Sequence, residues 1–285
     1  MKSINAGTGT VCLIGNPTVY SLSPIIHNYG FGLHNINSVY VAHTVEDNYV
    51  KEAIYGIKAL NYVGCNVTYP HKTNVIPFLD ELTSEARLIG AVNTIKNENG
   101  KLVGYNTDGL GFVEGLKNRG FDLNNKNICI IGAGGAARSI VVSLIKEFDC
   151  NVTICNRNIG TAADIMNTLN IDGLPGRITA CITPSQLKAL CDINVFINCT
   201  PVGMSPNEDF IPFEDELVLD ESMLVCDLIY KPYETKLLKK AKDMGCDVHY
   251  GLDMLIFQAI IAFKIWTGKD LPYEQLELLL KQQIY

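Results

Sequence analysis

Tryptophan occurs once in this 285-residue chain, no CxxC pair is present, and no apolar run approaches the roughly 18 residues that a membrane-spanning helix needs. A bilayer-embedded helix and the metal or dithiol motifs built on paired cysteines are therefore not expected. Basic residues are the minority, 23 Lys and Arg against 30 Asp and Glu, for a formal net charge of -7. Such a surface repels phosphate backbones and anionic lipid, so neither nucleic acid nor a membrane is an expected partner. A local basic pocket for a small anion remains compatible with that balance. The opening MKSINAGTGT has one Lys, no apolar core and no small-residue cleavage site, and does not read as a signal peptide. Internal repeats and low-complexity segments are also missing.

Cysteine, in contrast, is plentiful: there are ten. Cys12, Cys65, Cys129, Cys155 and Cys226 sit inside or at the ends of apolar strand-like runs, which reads as buried free thiols in a reducing cytoplasm rather than disulfides or zinc ligands. With 47% hydrophobic and 19% charged residues the chain is an ordinary globular one, and its length points to about two domains.

Strand-like runs VCLIG, SVYVAHT, YVGCNV, ICIIG, NVTIC, INVFINC and MLVCDLI alternate with amphipathic stretches over 24–33, 48–60, 108–119, 136–148 and 235–244. That alternation is the pattern of βα units and a parallel sheet. AVNTIKNENGKLVGYNT interrupts it: two strand-like segments flank Asn99-Gly100, a tight-hairpin dipeptide, and such a pair is expected to form an edge of the first sheet. Thr107 or Asp108 is available to cap the helix that follows, and a new βαβ series begins at Asn127. The domain boundary is therefore expected at residue 107, with residues 108–252 as the second domain. The helical tail over 253–285 has no following strand and is expected to pack back on the first domain.

ICIIGAGGAARSIVVSLIKEF is a strand, a Gly-rich turn and a helix in the order that a dinucleotide fingerprint requires. Gly132 serves the tight turn, Gly134 the approach of a pyrophosphate, and Ala137 the packing of helix on sheet. A phosphate there would meet the free N–H groups and dipole of the helix start. An NAD site normally has Asp or Glu at the end of the next strand. Here that strand ends NVTICNRN, so Asn156 brings no charge and Arg157 brings a phosphate donor, which favours NADP over NAD. An exposed Arg without a ligand is the plainer alternative.

In the first half, Ser21 and Ser23 are two apart in GNPTVYSLSPIIHN, so an extended segment would present both hydroxyls to a carboxylate or polyol. Simple N-capping by Ser23, with Pro24 opening the helix, is the competing reading. In NVTYPHK, Asn66 and Thr68 share a face, and Lys72 lies near the expected start of the next helix, where its charge opposes the dipole. GAVNT supplies Asn93 and GYNTDG supplies Asp108. A Lys and an Asp from opposite sides of a cleft suit proton handling while a cofactor handles hydride, although charged residues near helix starts are usually just solvated.

Taken together, SLSPIIHN, NVTYPHK, GAVNT, GYNTDG, GAGGAAR, NR, NCTPVGM, DLIYKP and GLDMLIFQ are co-linear, and the chain resembles the shikimate dehydrogenase family from about Gly15 to Pro272. The resemblance implies an N-terminal α/β substrate domain, a C-terminal Rossmann domain with a doubly wound parallel sheet, and an active site in the cleft between them. It implies reversible NADP-dependent reduction of 3-dehydroshikimate to shikimate, in aromatic amino-acid and chorismate biosynthesis, by a monomer or homodimer. Motif by motif, it implies that Ser21 and Ser23 bind the substrate carboxylate. Asn66, Thr68, Asn93 and Gln258 hold its hydroxyls, Tyr230 faces it, and Lys72 and Asp108 form the catalytic pair. Gly132, Ala133, Gly134, Gly135 and Ala136 match the pyrophosphate loop, Asn156 and Arg157 the 2′-phosphate site, and Thr200, Leu228 and Gly251 the nicotinamide side.

Tyr20, Ser84, Asn158 and Thr161 depart from the family's common pattern, and the last two leave the 2′-phosphate with fewer positive partners. A quinate or dual-specificity enzyme is the nearest alternative. A nucleotide-sensing regulator that has lost turnover is a remote one, opposed by the intact Lys72 and Asp108.

Overall fold

Two six-stranded sheets account for the apolar runs. The computed structural model describes residues 4–169, 173–190 and 192–284, so Cys191 lies outside the described residues. The chain divides into a first unit, Met1–Thr107 with Gln258–Gln283, and a second unit, Asp108–Phe257.

The first unit contains β1 (Gly9–Gly15), α1 (Ser23–Leu33), β2 (Ser38–Thr44), α2 (Val50–Ala59), β3 (Gly64–Val67), β4 (Glu81–Leu82), α3 (Ser84–Ile89), β5 (Thr94–Glu98) and β6 (Lys101–Tyr105). Its sheet runs β2-β1-β3-β5-β6-β4. The first three strands are parallel, whereas β5 runs antiparallel to both β3 and β6. Asn99 and Gly100 make the β5–β6 turn with φ of 55° and 89°, the left-handed pair that a two-residue hairpin requires. The hairpin is not the sheet edge, however: β4 pairs with β6 beyond it, through Glu81 with Val103 and Leu82 with Gly104. Two residues are too short a run to show a strand period.

Apolar residues on the strands, among them Cys12, Ile14, Cys65, Val67 and Ile95, form one core cluster with Ile54 and Ile57 of α2. Ile54 is fully buried, a burial that contributes about 1.5–3 kcal/mol. From Gln258 onward the end of the chain belongs to this unit, with the rest of α8 (Gly251–Thr267) and most of α9 (Tyr273–Ile284). The indole N–H of Trp266, the single tryptophan, donates to the Ile95 carbonyl at 2.9 Å. A Cβ on Gly64 would lie 2.5 Å from that same carbonyl, so only glycine admits the indole there.

The second unit contains α4 (Asp108–Asn118), β7 (Asn127–Ile131), α5 (Gly135–Glu147), β8 (Asn151–Cys155), α6 (Ile159–Leu169), β9 (Arg177–Ile182), β10 (Val195–Asn198), β11 (Leu224–Asp227), α7 (Lys236–Asp243) and β12 (Asp247–His249). Its sheet order is β12-β11-β10-β7-β8-β9, parallel throughout. Numbered within the unit this is 3-2-1-4-5-6 read from the β9 edge, the doubly wound dinucleotide topology, whose switch point lies between β7 and β10. The central strands are buried on both faces, as helices covering both sides of a parallel sheet demand. The nine described cysteines are free thiols, and no described helix is long and apolar enough to cross a membrane.

Candidate active site

Within the first unit, Ser21 and Thr68 lie in the loops after β1 and β3, Ser23 opens α1 and Asn66 is near the end of β3, at the carboxyl edge where parallel sheets place ligands. The Thr68 N–H donates to the Ile14 carbonyl at 2.9 Å and the Asn16 N–H to the Tyr69 carbonyl at 2.9 Å, joining the loops that follow the two strands. Ser21 and Ser23 do not share one face of an extended segment. Leu22 is helical, with φ of -87° and ψ of -6°, because α1 already begins at Ser23 with Pro24 in its first turn. Nor is Ser23 the N-cap. The Ser21 hydroxyl accepts the Ser23 N–H at 3.2 Å, which leaves the Ser21 O–H free to donate elsewhere.

Asn66, 6% exposed, is the centre of a buried chain of hydrogen bonds. Its Oδ1 accepts from the Tyr40 hydroxyl at 2.7 Å, and its Nδ2 donates to the Asn93 carbonyl and to Thr94 Oγ1, both at 3.0 Å. Both amide hydrogens are thus committed, so Asn66 can meet a ligand only as an acceptor. Asn93 Oδ1 accepts from Thr94 Oγ1 at 3.0 Å and from the Thr107 N–H at 2.9 Å. Tyr40 was not singled out in the sequence, because a tyrosine inside a strand reads as core. Burial holds its phenol well above the usual range. Beneath it the His27 ring stacks on Tyr40 with centroids 4.5 Å apart, and burial pushes its pKa down to about 3, so the ring is neutral.

Lys72 lies half-buried in a run of turns, not at a helix start; a short 3-10 turn at Ile76–Phe78 is all that follows. No helix dipole therefore acts on its charge. Its position is nevertheless fixed: the Val92 N–H donates to the Lys72 carbonyl at 2.8 Å, one residue from Asn93. The neighbouring His71, fully buried, sets a ring nitrogen 2.7 Å from the Val45 carbonyl. Gln258 is half-buried on α8 in the same unit.

The second unit holds the remaining residues. Asp108, 5% exposed, opens α4. Gly132 has φ of 103°, and the nearest atom to a Cβ placed on it would be Thr200 Cγ2 at 3.1 Å. Gly134 is the N-cap of α5, without a side-chain hydrogen bond to the first turn. Nothing lies within 4 Å of where its Cβ would be, so no packing inside the protein requires a glycine there. An open face over uncapped helix N–H groups, with Ala133, Gly135 and Ala136 adding little bulk, fits a pyrophosphate. Ala137 is fully buried against the sheet.

At the end of β8, Asn156 Nδ2 donates to the Asn158 carbonyl at 2.9 Å. Asn158 Oδ1 in turn accepts the Gly160 N–H at 3.0 Å, which caps the start of α6. Arg157 is exposed, and it makes no ion pair or hydrogen bond among the described residues. A lone guanidinium without a neighbouring strand-end carboxylate fits a 2′-phosphate.

Thr200 lies beyond the end of β10, Leu228 and Tyr230 beyond that of β11, and Gly251 opens α8 just after β12. A Cβ on Gly251 would fall 2.3 Å from the Leu228 carbonyl oxygen, so the start of α8 rests directly on that backbone. Between them lies a carboxylate absent from the sequence-based candidates. Asp227, 1% exposed, accepts from Asn198 Nδ2 and the Ile229 N–H, each at 3.1 Å, and from the Thr235 hydroxyl at 2.7 Å. Burial raises its pKa to about 6, and these donors offset part of that rise.

A glycine-opened helix on a 3-2-1-4-5-6 sheet, a lone Arg after β8, and a separate α/β unit with clustered hydroxyls and amides together define a dinucleotide-dependent oxidoreductase with its own substrate unit. Comparison with known proteins narrows that class. Residues 13–95 match the shikimate dehydrogenase substrate binding domain, residues 115–200 the shikimate / quinate 5-dehydrogenase family, and residues 251–277 the shikimate 5'-dehydrogenase C-terminal domain. The NADP(+) shikimate dehydrogenase of Methanocaldococcus jannaschii is 46% identical over 268 residues, 94% of each chain. A shikimate dehydrogenase solved in complex with NADP+ superposes with a TM-score of 0.91 at 42% identity, covering 99% of this chain and 98% of that one. The shikimate 5-dehydrogenase of Listeria monocytogenes, solved with shikimate and NAD, does so with a TM-score of 0.88 at 34% identity, over 98% and 99% of the two chains. This chain belongs to the shikimate dehydrogenase family.

Proposed function

We infer that the protein catalyses the reversible NADP-dependent reduction of 3-dehydroshikimate to shikimate. The observation that carries this reading is the polar cluster built on Asn66 and Asn93, whose hydroxyl and amide groups suit a small polyhydroxylated acid. Ser21 and Ser23 donate to its carboxylate. Asn66 accepts from a ring hydroxyl, while Thr68, Asn93 and Gln258 hold the others and Tyr230 lines the substrate side. Lys72 holds or moves the proton of the reacting hydroxyl, and Asp108 completes the proton-handling groups. NADP, when bound, supplies the hydride acceptor or donor. Gly132, Ala133, Gly134, Gly135 and Ala136 hold its pyrophosphate, Asn156 and Arg157 its 2′-phosphate, and Thr200, Leu228 and Gly251 border its nicotinamide. A cytoplasmic location is in keeping with the free thiols of the nine described cysteines.

The two serines test this reading. Each of Ser21→Ala and Ser23→Ala removes a hydrogen bond to a charged group, about 1.5 to 3 kcal/mol, so shikimate KM should rise about 10- to 150-fold. NADP+ KM should stay near its wild-type value. Steady-state kinetics with each ligand varied in turn provides the check. Equal losses for both ligands would instead give the serines no more than a part in starting α1.

A further inference from the structure

We propose that Asp227 is a positioning residue for the nicotinamide side of the cofactor site, acting through Asn198, Ile229 and Thr235. The proposal rests on the assignment of Thr200, Leu228 and Gly251 to that side. Asn198 and Asp227 are paired neighbours at the ends of β10 and β11, and both are almost wholly buried. Asn198 faces two ways. Its Nδ2 donates to Asp227 Oδ1 at 3.1 Å, and its Oδ1 accepts the Thr200 N–H at 3.0 Å and the Thr200 hydroxyl at 2.7 Å. The orientation of that amide is set by the carboxylate together with the Val202 carbonyl, which Nδ2 also meets at 3.3 Å, and the amide in turn holds the rotamer of Thr200.

The same Asp227 oxygen takes the Ile229 N–H at 3.1 Å, which fixes the backbone immediately after Leu228. Gly251 rests on that backbone, because the nearest atoms to its absent Cβ are the carbonyl groups of Leu228 and Ile229. The second oxygen holds Thr235, whose hydroxyl caps α7 by accepting the Leu238 N–H at 3.3 Å. Three segments that carry or support the nicotinamide border thus converge on one group that can only accept hydrogen bonds. Packing alone would be satisfied by a small apolar side chain at this strand end. A desolvated carboxylate with three directed donors is a costlier arrangement and makes sense where geometry must be exact.

Asp227→Asn is the informative change. It keeps size and shape and lets the amide oxygen retain Asn198 and Ile229, but the new NH2 faces the Thr235 hydroxyl, which then has no acceptor. The pyrophosphate and 2′-phosphate contacts lie on other strands, so the cofactor stays anchored while its ring loses its border. A shift of the reacting atoms by a fraction of an ångström is enough to lower kcat by about tenfold or more. The expected result is therefore a kcat lowered about tenfold, with NADP+ Kd by calorimetry and shikimate KM each within about threefold of wild type. Unchanged kcat with a lowered Tm would make Asp227 purely structural and overturn the proposal. So would an NADP+ Kd that weakens in step with kcat.

Should that variant fail to fold, Thr235→Val, which removes only the hydroxyl, is expected to lower kcat while Thr235→Ser keeps it. Wild-type kcat in both would again overturn the proposal. Absence of shikimate oxidation by the wild-type protein would instead overturn the functional reading on which the proposal rests, so the two failures are distinguishable.

Discussion

Replacing Lys72 by Ala should lower kcat for shikimate oxidation by roughly 10²-fold or more, the usual scale of general acid–base catalysis, with a much smaller change in KM. Lys72 is not a helix residue, so its loss removes no helical support, and its backbone stays pinned by Val92 and by the buried His71 beside it. A fold-neutral change is therefore expected, and the fall in rate can be read as lost chemistry. Oxidation of an alcohol by NADP+ releases a proton, so the equilibrium moves toward the ketone as pH rises. The variant should lose rate at every pH without altering that equilibrium. A kcat within a few-fold of wild type would remove Lys72 from the chemistry.

The second large effect concerns the cofactor. With Arg157 assigned to the 2′-phosphate and no carboxylate after β8 to repel it, NADP+ should be preferred over NAD+ by one charge-assisted contact. At about 1.5 to 3 kcal/mol this corresponds to about 10- to 150-fold in kcat/KM. Exposure of Arg157 to solvent screens the contact, and Asn158 and Thr161 bring no further positive charge, which places the preference near the lower end. Arg157→Ala should erase most of it, weakening NADP+ and leaving NAD+ nearly unchanged. Initial rates with both cofactors decide the matter, and equal weakening of the two would refute the role given to Arg157.

Much of this site is legible in the sequence because its residues sit at the ends of strongly apolar runs. β1, β3, β7, β8, β10 and β11 announce themselves by composition, and parallel strands put their ligands at their carboxyl ends. The Gly-rich turn after β7 and the Asn-Gly hairpin are local and need no tertiary information. What the sequence conceals depends on contacts far along the chain. β9 has the mixed burial of an edge strand, and β12 and β4 are too short to show a period. The spacing of Ser21 and Ser23 suggests an extended segment, but Pro24 in the first turn starts α1 at Ser23. Lys72 resembles a helix-start residue until the turns after Pro70 are seen. Tyr40 reads as core until Asn66, 26 residues away, is seen beside it, and Asp227 as an ordinary strand-end carboxylate until it is joined to Asn198, 29 residues back.

The central claim is that shikimate and NADP+ are the matched pair of substrates, and absorbance at the nicotinamide band tests it most directly. Purified protein mixed with shikimate and NADP+ should produce NADPH. Its kcat/KM should exceed that for shikimate with NAD+ by about tenfold, the worth of one charge-assisted contact, and should also exceed that for quinate with either cofactor. No NADPH formation from shikimate, or a higher kcat/KM with quinate or with NAD+, would contradict the account.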